Sequence, residues 1–143
     1  MNSKLTLTFT SIPENVSIAR MLVASLGAQL DLSLNDIEEL KVVVSEAVSN
    51  AIIHGYHNEP FNIVRLDLNV EDDVLQIIVK DEGCGIPDIP QAMQPAYSTD
   101  PERMGLGFTF MQSFMDSLEV ESTVDMGTTI TMSKKLKLAT SSH

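Results

Sequence analysis

The stretch from Glu38 to Tyr56 leaves the chain little choice of fold. At about 100° per residue, Ile37, Leu40, Val44, Ala47, Val48, Ala51 and Ile52 fall on one broad apolar face, so the segment is an amphipathic helix whose face must lie on a core. Glu46, Asn50 and His54 stand four apart and form a polar rib along the edge of that face, with Glu39 and Val43 below them. A carboxylate and a carboxamide one turn apart beside a core need polar partners or a cavity. Oxygen ligands of this kind suit Mg²⁺, and such a carboxylate can take a proton from a nucleophile. A solvated helix edge has the same spacing, so this helix alone leaves both readings open.

The flanking segments supply the layers. Lys4 to Phe9 alternates and reads as a strand with Leu5, Leu7 and Phe9 inward. Ser11 to Glu14 reads as a helix start, with Ser11 as cap, Pro13 in the first turn and Glu14 three residues after the serine. That helix runs to about Leu30 on the stripe Val16, Ala19, Val23 and Leu26, and Arg20 is its only cation. Ser33 and Asp36 start the long helix in the same way, and Gly55 with the polar run to Pro60 ends it. Asn62 to Val70 and Val74 to Lys80 read as strands about a turn at Glu71 to Asp73, the second apolar enough to be central in its sheet.

Asp81 to Pro87 breaks that strand, and the chain then reads as irregular to Met104, a length that is usually functional or mobile. Gly105 and Gly107 open a helix carrying Phe108, Met111, Phe114, Met115 and Leu118. Leu118 to Val124 and Thr128 to Ser133 are strands joined at Asp125 to Gly127. The order predicts an α+β fold, a two-layer sandwich with three helices on one face of a mixed, mainly antiparallel sheet. Residues 1–136 make one domain, and 137–143 read as a frayed tail. Strands and helices do not alternate as in a doubly wound sheet, and no Gly-x-x-x-x-Gly-Lys loop is present.

Charge narrows the partners. With 9 Lys+Arg against 20 Asp+Glu, the net charge of −11 offers no broad footprint for direct nucleic-acid contact. An anionic ligand must then be held locally, by backbone amides, a metal or a few placed cations. No apolar run is long enough to span a membrane, the first residues do not form a secretory signal, and a single cysteine, Cys84, fits a reducing compartment. The expected location is the cytoplasm.

Three further motifs carry chemistry. Asp81 ends a buried strand and is followed by Gly83 and Gly85; a carboxylate there accepts a hydrogen bond from an exocyclic amine, and Gly83 lets a flat ring approach. A plain turn after a strand has the same form. Gly105 and Gly107 stand at a helix start, where backbone amides favour anions, and Arg103 adds a charge nearby. Gly127-Thr128 turns into a strand, and Thr128 can reach a ligand through a water.

Glu46 and Asn50, Asp81-x-Gly-x-Gly, Gly105-x-Gly and Gly127-Thr128, in that order, resemble the GHKL superfamily of ATP-binding folds. The run Glu39 to Tyr56, the run Asp81 to Ile89, and Gly107 to Thr109 with Met111, Phe114, Met115 and Asp116 resemble the anti-sigma F factors of spore-forming bacilli, serine protein kinases that also bind a sigma factor. The resemblance implies a GHKL (Bergerat) ATP-binding fold and roles by matching position. Glu46 is the general base for the attacking serine, and Asn50 binds Mg²⁺. Asp81 holds the adenine amine, with Gly83 beneath the ring, Gly85 also binding the nucleotide and Thr128 helping through water. Gly105 and Gly107 meet phosphates, and Arg20 docks both the sigma factor and the anti-anti-sigma substrate. A homodimer is implied as well. The segment between Pro101 and Gly105 is shorter than the family's usual form and position 100 is Asp, so phosphate contacts from Asp100 to Met104 do not carry over. The expected function is sequestration of a sporulation sigma factor combined with ATP-dependent serine phosphorylation of an anti-anti-sigma factor. The alternatives are a nucleotide-gated sigma-binding module with little kinase activity and a stress-response switch kinase of the anti-sigma B type.

Overall fold

A computed structural model describes residues 2–94 and 104–137, the side chains of 104–106 excepted. Five strands, β1 (Ser3–Thr10), β2 (Ile63–Glu71), β3 (Val74–Asp81), β4 (Ser117–Thr123) and β5 (Gly127–Lys135), form one sheet in the order β1-β2-β3-β5-β4. Helices α1 (Glu14–Gln29), α2 (Leu34–Asn50), α3 (Ile89–Ala92) and α4 (Met104–Phe114) complete the α+β fold, and α2 continues into a π-helical turn, Ala51–Gly55. Every described pairing is antiparallel, so the parallel component expected of a mixed sheet is absent among the described residues. Hairpins join β2 to β3 and β4 to β5, which forces opposite directions at those pairs.

The sheet buries one face. Val64, Leu66, Leu68 and Val70 of β2 and Leu75, Ile77 and Val79 of β3 are at most 2% exposed, while Arg65, Asp67, Asn69 and Gln76 alternate onto the other side. A row of apolar side chains crosses all five strands, pairing Leu7 with Leu66, Leu66 with Val79, Val79 with Ile130 and Ile130 with Val120. The strand expected at the centre, β3, is the middle one. Upon this face lie α1, α2 and α4, with α2 in the middle touching both neighbours. Leu40, Val43, Val44, Ala47 and Val48 of α2 and Phe108 and Met111 of α4 are almost wholly buried.

Several local expectations change. Ser33 caps α2 as expected, accepting from Asp36 N at 3.1 Å. Ser11 does not cap α1, whose N-cap is Pro13 with no side-chain cap bond. Its hydroxyl instead donates to Glu59 O at 2.6 Å and accepts from Asn62 N at 3.1 Å, fastening the end of β1 to the segment entering β2. The Ser-x-x-Glu pattern is local, but the orphan backbone groups at that end of the sheet compete for the hydroxyl and win it. Within the stretch expected to be irregular, Asp88 caps the short helix α3, accepting from Gln91 N at 3.1 Å. Leu118, which by sequence closes the last helix and also opens the next strand, belongs to β4 alone. Residues 95–103 and 138–143, and with them Arg103, Asp100 and most of the expected tail, lie outside the described residues.

Replacing Ser11 with Ala leaves the Asn62 N–H and the Glu59 carbonyl, both of part-buried hydrogen bonds, without their partner and is expected to cost about 1–3 kcal/mol. Ser33→Ala, the loss of an exposed cap, is expected to cost about 1 kcal/mol. Urea unfolding of both variants checks the ranking; a smaller loss at Ser11 would show that its two bonds are replaced by water.

Candidate functional site

The polar rib of α2 is where the sequence places it, but its members meet different surroundings. Asn50 is 8% exposed, and its Nδ2 lies buried with no hydrogen-bond partner. Such a group is costly unless something polar reaches it. Glu46, one turn earlier, is half-buried. The start of α4 lies over both: a Cβ built on Gly107 would stand 2.9 Å from Glu46 Oε2 and 3.7 Å from Asn50 Nδ2. Burial of Phe108 and Met111 draws α4 onto α2.

Beyond Asn50 the helix widens into the π-turn, closed by Tyr56 N donating to Ala51 O at 3.0 Å. Such turns recur at functional sites because the extra residue re-aims the chain. Here the carbonyls of His54 and Gly55 meet the loop after β3. Cys84 N donates to Gly55 O at 2.9 Å and Cys84 Sγ to His54 O at 3.1 Å. Gly83 lies so close to the Gly55 carbonyl that a Cβ would overlap it. The near approach that demands glycine at position 83 is therefore, on this side, one of backbone to backbone. Tyr56 is 5% exposed; its hydroxyl donates to Ile63 O and accepts from Glu82 N, both at 2.7 Å. Burial raises its pKa.

Asp81 stands at the last pairing of β3, opposite Thr128 of β5, and is 6% exposed. Burial pushes its carboxyl from 3.8 to about 6, while the amides of Gly83 and Thr128 pull it back. Gly83 N donates to Asp81 Oδ1 at 2.9 Å. Gly55 leaves space for the carboxylate: a Cβ there would lie 2.7 Å from Oδ1. Gly127, at φ +120°, passes against the Asp81 carbonyl where a side chain has no room. Thr128, 6% exposed, shares a 2.8 Å hydrogen bond with the Ser122 hydroxyl, which also accepts from Ile86 N at 2.7 Å.

Asn50, Asp81, Gly85 and Thr128 thus line one cavity, closed by Ile86 and Phe108. Its enclosed space is about 10 Å³, room for one water, so a larger ligand must displace the side chains that close it. Gly83, expected beneath a ring, is not among the lining residues and instead holds Asp81 through its N–H. Glu46 lines a separate cleft with Arg20, between α1 and α2. Arg20 Nη1 donates to Ser45 Oγ at 3.4 Å, a hydroxyl rather than a carboxylate. Gly105 is in the first turn of α4. Asp100 to Arg103, to which the family's phosphate contacts do not carry over, lie outside the described residues. Sequence reading missed Gly55, Tyr56 and Ser122. Gly55-Tyr56 reads locally as a helix stop, and the partner that reveals Tyr56 is 26 residues away.

The profile of the histidine kinase-like ATPase domain family matches residues 9–134. The chain is 49% identical to an anti-sigma F factor of Geobacillus kaustophilus (strain HTA426) over 138 residues, 95% of this chain and 94% of that protein. It is 50% identical to an anti-sigma F factor of Geobacillus stearothermophilus over 136 residues, 94% of this chain and 93% of that one. Among solved structures, a histidine kinase domain from the blue-light activated histidine kinase EL346 of Erythrobacter litoralis matches 73% of this chain with a TM-score of 0.57 and 22% identity, a likeness of fold. The match spans 46% of that structure's length.

The titration of Asp81 gives a test of this geometry. Its folded pKa, about 6, exceeds the ordinary 3.8, so the folded state holds the proton more tightly than the unfolded chain. The residue therefore favours folding below about pH 4, and that contribution is lost as pH rises through about 6. Carboxyl NMR is expected to show a midpoint near pH 6, and Asp81→Asn to flatten the fall in stability over that interval. A midpoint near 4 would mean that water reaches the carboxyl.

Proposed function

This chain belongs to the histidine kinase-like ATPase family, with the anti-sigma F factors, and we propose that it is an ATP- and Mg²⁺-dependent serine kinase. In this reading it binds and restrains a sporulation sigma factor and phosphorylates an anti-anti-sigma factor. The observation that carries the reading is the pairing of two buried polar groups in one cavity, the Asp81 carboxylate and the unpartnered end of Asn50. Adenine offers an amine donor to the first, and a phosphate oxygen accepts from the second, the Nδ2 of Asn50, whose amide oxygen stays available to a metal.

Each step falls to a named residue. Ionised Asp81 accepts from the adenine amine, and Thr128 and Gly85 border the ring. Phosphates turn toward the start of α4, whose free amides favour anions, at Gly105 and Gly107. The amide of Asn50 would hold Mg²⁺, which neutralises charge on the phosphates when bound. Among the described residues no group of three or more His, Cys, Asp or Glu gathers as a metal site, so the remaining ligands would be phosphate oxygens and water. Glu46 takes the proton of the partner's serine hydroxyl. The serine oxygen bonds to the γ-phosphorus as the bond to the bridging oxygen breaks, and ADP departs.

Arg20, whose guanidinium has no carboxylate partner among the described residues, is the proposed docking point for sigma factor and substrate alike, so the two compete. No helix among the described residues is long and apolar enough to cross a membrane, in keeping with a cytoplasmic regulator. The outer edge of β1 is unpaired in the sheet and offers backbone groups to a second copy, which supports a homodimer. A binding module without kinase activity would need Asp81 and Asn50 but not a base in the cleft.

Glu46→Gln is expected to keep ATP affinity and lower phosphoryl transfer about 10²–10⁴-fold. Transfer within a few-fold of the unmodified protein would remove the base assignment and favour the binding module. Light scattering at micromolar concentration is expected to give twice the 15.7 kDa chain mass. The monomer mass alone would refute the dimer.

A further inference from the structure

Glu46 lines a space that the nucleotide site does not use. The cleft between α1 and α2 is open to solvent, offers about 470 Å³ and is bordered by Arg20, Glu38, Lys41, Val42, Ser45 and Glu46. Ser45 organises it. Its hydroxyl donates to Lys41 O at 2.6 Å and accepts from Arg20 Nη1 at 3.4 Å, tying the guanidinium to α2 beside the lysine. Two of the chain's 9 cations therefore face one cleft in a molecule of net charge −11.

Lys41 Nζ lies 3.2 Å from a Glu38 carboxylate oxygen, in a pair whose side chains are 31% and 59% exposed. A pair so open to water holds little free energy, so an incoming carboxylate exchanges for Glu38 at small cost. The general field repels acidic segments elsewhere, whereas a basic segment is attracted over most of the surface and gains no particular address here.

We infer that this cleft reads an acidic side chain close to the hydroxyl that Glu46 deprotonates, with Lys41 as a specificity residue and Ser45 as the positioning residue for Arg20. The inference rests on the kinase reading above. Geometry sets the spacing. Lys41 precedes Glu46 by five residues, about 7.5 Å along a helix. An extended peptide advances about 3.3–3.6 Å per residue, so the acid lies about two residues from the phosphorylated serine. Val42, 37% exposed and one turn before Glu46, meets the residue between.

The test uses a recombinant anti-anti-sigma protein as substrate, with each Asp or Glu within three positions of its phosphorylated serine changed in turn to Lys. Lys41→Glu is expected to lower kcat/KM for the unmodified substrate about ten-fold, with ATP affinity and melting temperature unchanged. One substrate acid→Lys variant is expected to recover most of that loss when paired with Lys41→Glu. Ser45→Ala is expected to weaken the same step, and Ser45→Thr to restore it. A Lys41→Glu kinase within two-fold of the original, or losses that no charge swap recovers, would overturn the inference while leaving the kinase intact. If the unmodified protein transfers no phosphate to the substrate, the kinase reading falls and this inference with it.

Discussion

A carboxylate buried at the end of the central strand is expensive, and the surroundings of Asp81 are built around that expense. At 6% exposure it is deprived of most of its water, and its pKa rises to about 6. The amides of Gly83 and Thr128 limit the rise. For those amides to be there, β5 must lie beside β3 to its last residue, and the chain after Asp81 must fold straight back. Gly127 makes the first possible by passing against the Asp81 carbonyl without a side chain. Gly55 and Tyr56 make the second possible, one by yielding space and the other by holding Glu82 N. The apolar rows of β2 and β3 supply the stability that offsets this polar insertion.

The helix α2 borders two compartments that are separate yet adjacent. Its buried edge presents Asn50 to the cavity of Asp81, and one turn earlier it presents Glu46 to the cleft of Arg20 and Lys41. The straightness of a helix fixes that separation, and the core face of Leu40, Val44, Ala47 and Val48 fixes its rotation. The π-turn then redirects the chain so that the helix ends against the loop it must hold. The contact of Gly107 with Glu46 and Asn50 places the start of α4 over the boundary between the two compartments.

Features set by short-range pattern were legible in the residues. The face of α2, its Ser33 cap, the centrality of β3 and the hairpin glycine at 127 all follow from spacings of a few residues. The grouping of Asn50, Asp81 and Thr128 was readable through the order of their motifs. Features decided by distant partners were not. Ser11 carries a capping pattern, but its hydroxyl goes to groups 48 and 51 residues away. Tyr56 reads as the polar end of a helix, yet is a buried link between β2 and the loop after β3. The parallel component expected of the sheet had no local signature to refute it; the pairing of β3 with β5, across the intervening β4, settled the direction.

That pairing has a consequence for the birth of the molecule. Although β4 precedes β5 in the chain, in space β5 is inserted between β3 and β4. A nascent chain halted after Thr123 has a β4 with no strand to join, and its Asp81 lacks the Thr128 amide and the Gly127 turn. Emergence of β5 from the ribosome completes the described sheet, the core row and the cavity together. A chain clipped before β5 thus has no complete cavity around Asp81.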